Sequence, residues 1–156
     1  MNKILLLLAL SVSLFAVEPL KVGSSLSLLD NYEYETPKGR MMKIPAESTL
    51  LLFAFEKDTG ALVNDYLRTK NQYYIQKHKA VFVADISKMP TVITNMFALP
   101  KMKKYKHLLY LHYGKEFRHL VPHLDDKITL IRFTDGKVTN ISFATTRKEI
   151  QEAIER

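Results

Sequence analysis

Two stretches of this chain are apolar without interruption for about the length of a strand. Thr49–Phe55 reads TLLLFAF and Ala80–Ala84 reads AVFVA. Such runs predict strands covered on both faces. Between them, Asp58-Thr59-Gly60 breaks the pattern, and Asp58 or Thr59 is suited to cap a helix. Leu62, Val63, Tyr66, Leu67, Tyr73 and Tyr74 then lie at helical spacing, which predicts a helix running to about Lys77. After the second strand, Met89, Val92, Ile93, Met96 and Phe97 mark one helical face, read as a core-facing stripe. Pro90 is tolerated in that helix's first turn, and Pro100 is expected to kink or end it.

The flanks carry shorter signals. Alternation in Ser25–Leu28 suggests an edge strand, and Pro37-Lys38-Gly39 a turn leading to Met41–Ile44. His107–Tyr113 (HLLYLHY) reads as a third strand, followed by a long polar connection over Gly114–Lys127. Lys127–Phe133 and Val138–Phe143 form a hairpin about Asp135-Gly136, a strong two-residue turn signal. Thr146 and Glu149 match a capping box that opens a last helix, with Ile150, Ala153 and Ile154 on its buried side. A βαβ unit followed by a ββα unit predicts an α/β fold with a mixed sheet and helices on both faces.

The amino-terminal end changes the setting. Met1–Lys3 is a short positive start, Ile4–Phe15 is apolar, and Ala16 is a small residue suited to cleavage. This is the pattern of a secretory signal peptide over 1–16, leaving one domain over 17–156. The apolar run falls short of the roughly 20 residues of a membrane span, so a retained anchor is the weaker alternative. The expected destination is the periplasm. The chain has no cysteine, which excludes lipid attachment by the bacterial lipoprotein route. The net charge of +7 would ordinarily suggest nucleic acid. Export argues against that and leaves acidic envelope proteins, acidic surfaces or anionic lipid headgroups as partners.

The element order, together with TLLLFAFEKDTG, AVFVADISKMP and TLIRFTDGKV, resembles the thioredoxin-like superfamily. HLLYLHY, the additional strand before the hairpin, is similar to that of peroxiredoxins, and the layout resembles small exported proteins of the YtfJ type. The resemblance implies a three-layer sandwich with a central mixed sheet. It also places the family's redox pair where Asp58, Thr59, Gly60 and Ala61 stand. None of these can form a thiolate, so thiol–disulfide and thiol peroxidase chemistry are excluded. Ile128 aligns with the family's cis proline, which implies that the substrate-clamping turn is lost.

The side chains that remain define the candidate chemistry. Asp58, Thr59 and Gly60 at a helix start could face an anion, or simply cap the helix. His119 and His123, four apart and with Asp125 nearby, offer a zinc or copper ligand set, or are exposed loop histidines. His107 and His112, five apart on one strand, should point to opposite faces. Lys101, Lys103, Lys104 and Lys106 make a positive patch worth roughly 1 kcal/mol per lysine near an anionic membrane, or a solvated connection. The expected working surface combines Asp58, Thr59, Gly60 and Ile128 with Lys101, Lys103 and Lys104. The function expected is a non-redox periplasmic binding or interaction module without a cofactor. A protein holding a divalent metal or another cofactor is the alternative, and a flavin-dependent oxidoreductase is a weaker one.

Overall fold

A computed structural model describes residues 17–156; the expected signal peptide lies outside them. The sheet consists of β1 (Tyr34–Glu35), β2 (Met41–Met42), β3 (Leu50–Ala54), β4 (Ala80–Asp85), β5 (Tyr110–His112), β6 (Ile128–Thr134) and β7 (Lys137–Ala144). Its order is β2-β1-β5-β4-β3-β6-β7. β3, β4 and β5 run parallel, and β6 pairs antiparallel with β3. β3 and β4 are buried at every position, as the apolar runs Leu50–Ala54 and Ala80–Ala84 require, and the buried Asp85 ends β4.

The helices are α1 (Lys57–Leu67), α2 (Tyr74–Lys77), α3 (Thr91–Ile93), α4 (Leu99–Met102), α5 (Phe117–Leu120) and α6 (Arg147–Glu155). The crossovers from β3 to β4 and from β4 to β5 put their helices on one face of the sheet, as successive crossovers of the same, right-handed sense do. There Val63, Leu67, Ile75, Ile150 and Ile154 pack on Leu52, Phe82, Leu111 and Leu130. The other face is covered by a 3₁₀ turn, Leu26–Asn31, and by α5. Its centre is Phe117, whose ring lies 5.6 Å from Phe53, 5.4 Å from Tyr32 and 4.3 Å from His112. The fold is therefore an α/β sandwich with a mixed sheet and helices on both faces.

Local physics accounts for each departure from the sequence reading. Ser25–Leu28 is not a strand: the Ser25 hydroxyl accepts the Ser27 N–H and opens the 3₁₀ turn, which buries Leu26 and Leu29. Only Ser25 keeps a β-bridge, to Lys137. The helix after β3 stops at Leu67 rather than Lys77. The Thr69 hydroxyl donates to the Tyr66 carbonyl at 2.7 Å, and Asn71 Oδ1 accepts the Tyr73 N–H at 2.9 Å. Both side chains compete with helix bonds and turn the chain. The 114–127 connection is not polar throughout, because Phe117, Leu120 and Val121 are buried.

Pro100 does not end its helix. The chain passes from α3 through a π-helical turn, Thr94–Ala98, into α4. Pro100 has no N–H to offer the carbonyl four residues back, and the i→i+5 turn just before it absorbs the mismatch. The Asp135-Gly136 hairpin forms with both residues at positive φ, 49° and 71°. The Thr146–Glu149 capping box also forms: Glu149 Oε2 accepts the Thr146 N–H at 3.0 Å, and the Thr146 hydroxyl accepts the Glu149 N–H at 3.2 Å.

Candidate functional site

At the junction of β3 and α1 the amino-terminal cap is Glu56, not Asp58 or Thr59. The Thr59 hydroxyl accepts the Glu56 N–H at 3.3 Å and lies 3.0 Å from the Glu56 carbonyl. Thr59 is only 5% exposed, so its hydroxyl is enclosed in the cap. Gly60 lies over β3, where an added Cβ would make ordinary contact with Ala54 at 3.9 Å. Ile128 is fully buried at the start of β6 and offers no surface. Among the described residues no peptide bond is cis.

The carboxyl ends of the parallel strands hold a buried polar group that the sequence reading passed over. Asp85 ends β4, and its Oδ1 accepts the Ser87 N–H at 2.8 Å. Its Oδ2 lies 3.6 Å from Nε of Arg118, on α5. Arg118 Nη2 donates to the Phe55 carbonyl at 2.6 Å, and the guanidinium stands over the Phe55 ring at 5.2 Å. The pair thus ties α5 to the ends of β3 and β4. Both groups are enclosed, which makes this a structural clamp rather than an open site.

The histidines separate. His107 precedes β5, and its Nε2 meets Asn64 Oδ1 of α1 at 2.8 Å. Burial, and after it the positive charge of Arg68, lowers the His107 pKa to about 4. His112 lies on the opposite face among Tyr32, Tyr34 and Phe117, with Nδ1 2.8 Å from the Glu33 carbonyl. His123 packs on Phe55 at 4.7 Å, while His119 is exposed on α5. Among the described residues no three histidine, aspartate or glutamate side chains stand where they could hold a metal ion. His119, His123 and Asp125 are therefore not gathered into a ligand set.

The lysine stretch does not share an edge with Asp58. Tyr105 stacks on His107 at 5.1 Å and lies beside Asp65 and Arg68. This segment packs at the carboxyl end of α1, about 10 Å along the helix from Asp58. The surface expected from sequence is thus divided, with Thr59 and Ile128 buried and the lysines at the far end of α1.

The helix formed by α3, the π turn and α4 carries the surface that the sequence reading missed. Val92 is 63% exposed, Met96 64% and Phe97 63%, with Ile93 beside them. Of the stripe expected to face the core, Met89 packs inward, whereas Val92, Ile93, Met96 and Phe97 do not. Thr94 is the residue buried there, and Met89, Leu99 and Met102 make the inward contact. Two apolar sets therefore run along this helix, and periodicity alone does not say which one faces in. Lys88, Lys101, Lys103 and Lys104 flank the outward set and are exposed.

No family model matches the chain, and no curated protein matches it. Solved structures do. A SCO1/SenC family lipoprotein from Bacillus anthracis aligns over 90% of this chain and 95% of its own, with a TM-score of 0.52 and 12% identity. The fold is thioredoxin-like. An uncharacterized thioredoxin-like protein from Porphyromonas gingivalis aligns over 85% of this chain and 92% of its own, with a TM-score of 0.51 and 9% identity. A peroxiredoxin-like protein from Aquifex aeolicus aligns over 90% and 89%, with a TM-score of 0.50 and 10% identity. Identities this low carry the fold alone. In this thioredoxin-like chain the start of α1 holds Glu56, Asp58 and Thr59, and no cysteine occurs anywhere in the sequence.

Proposed function

We propose that this protein is an exported, non-redox binding module that works through the outward face of the α3–α4 helix. The observation that carries the reading is the exposed stripe Val92, Ile93, Met96 and Phe97, flanked by lysines. A contiguous set of exposed large apolar side chains rimmed by polar residues is the kind of patch that marks an interaction site. The cap at the start of α1 is consistent with this, because Thr59 fills the turn with its own hydrogen bonds. Export rests on the pattern of Met1–Ala16, and the expected compartment is the periplasm. Lys101, Lys103 and Lys104 keep their place in the working surface, and Asp58 leaves it.

Photo-crosslinking in the producing cell tests this. A crosslinking side chain at Phe97 should give adducts in the envelope fraction, whereas one at Tyr73, equally exposed on a different element, should not. Equal yields at both positions, or protein confined to the cytoplasm, overturn the reading.

A further inference from the structure

From Ile86 to Lys115 the chain contains no aspartate or glutamate. The same segment holds Lys88, Lys101, Lys103, Lys104, Lys106 and Lys115, and no arginine. All six lysines are exposed. Among the described residues none of them forms an ion pair with a carboxylate of the protein. Within this cationic segment Val92, Ile93, Met96 and Phe97 face outward, and Met96 and Phe97 lie within the π turn, which is closed by the bond from the Leu99 N–H to the Thr94 carbonyl.

From this we infer that the α3–α4 helix docks on an anionic phospholipid bilayer, with Met96 and Phe97 entering the interface and the lysines at headgroup level. The inference rests on the binding-module reading and names its partner. Charge decides among occupants. A second copy of the chain docking through the same face would bring a like-charged segment against this one. An anionic surface is the complement. Lysine in place of arginine decides between a protein and a lipid surface. Protein interfaces are enriched in arginine and depleted in lysine, whereas lysine stems lie along apolar surface and carry the ammonium group to the headgroups. A short helix with apolar side chains on one face and exposed lysines at both ends of it in sequence has the composition of an interfacial membrane helix. No helix among the described residues is long and apolar enough to cross a membrane, so this contact would lie in the interface.

The chain contains no tryptophan, so a Phe97→Trp variant of the full chain is a single-site reporter. On vesicles of phosphatidylcholine with phosphatidylglycerol, its emission should shift to shorter wavelength. On pure phosphatidylcholine it should not shift, and a Tyr73→Trp variant should shift on neither. Lys103→Gln/Lys104→Gln in the Phe97→Trp background should weaken the titration on the order of 30-fold. High salt should weaken it as well. Circular dichroism of each variant shows that it is folded. No shift on anionic vesicles, or an equal shift on neutral ones, overturns the inference. If photo-crosslinks at Phe97 then run to a protein, the binding-module reading stands and the bilayer is not its partner.

Discussion

Nε2 of His107 lies 2.8 Å from Oδ1 of Asn64, inside the packing of β5 against α1. Burial, with the charge of Arg68, holds the His107 pKa down to about 4. The folded state therefore keeps a neutral imidazole that the unfolded chain protonates near pH 6.5. This contribution is fully present above pH 6.5. It is lost as pH falls toward 4, because the unfolded state binds the extra proton across that window. Urea unfolding from pH 7 to pH 4 should show a loss from this group of at most about 3 kcal/mol, screening by solvent reducing it further. A His107→Gln variant should show a shallower decline over the same window. An equal decline would mean that the acid sensitivity lies elsewhere.

The Asp85–Arg118 pair should behave as a clamp. Arg118→Ala leaves the Asp85 carboxylate enclosed without its partner, which should cost about 3 kcal/mol of stability. Adding Asp85→Asn should restore part of that loss, because the uncompensated charge is then gone. Unfolding free energies of the two single variants and the double variant give the coupling. Additive effects would contradict the clamp.

How much of this was legible in the sequence depended on whether a signal had one physical reading. Leu50–Phe55 and Ala80–Ala84 are apolar at every position, so each strand could only be central. Asp135-Gly136 and the Thr146–Glu149 box carry their own backbone chemistry, and both formed where expected. The stripe Val92–Phe97 failed for the opposite reason. The α3–α4 helix has apolar residues on two sides, and Met89, Leu99 and Met102 took the core. Asp85–Arg118 joins residues 33 positions apart in sequence, and no local pattern announces such a pair. Thr59 and Ile128 were expected on a working surface because they align with a redox site. Without the cysteines, that place is closed by capping and packing.

The outward orientation of Met96 and Phe97 separates the two readings of that helix. Met96→Ser/Phe97→Ser should leave the stability of the protein within about 0.5 kcal/mol of wild type. If the stripe faced the core, the Phe97 truncation alone would cost about 3–5 kcal/mol. Chemical unfolding of the double variant decides between them.

The cap of α1 makes a smaller, position-specific prediction. Thr59→Val removes the acceptor of the Glu56 N–H and should cost about 1 kcal/mol. Asp58→Asn should change stability by no more than about 0.5 kcal/mol, because Asp58 lies in the first turn and does not make the cap. A larger cost at Asp58 than at Thr59 would place the cap at Asp58.

On the proposed function, this thioredoxin-like domain serves as a binding module without redox chemistry of its own. Native mass spectrometry of untagged protein from the envelope of the producing cell tests this most directly. The predicted result is the mass of the polypeptide over 17–156 with no added group. A flavin, a haem or a metal ion at about one per chain would contradict it.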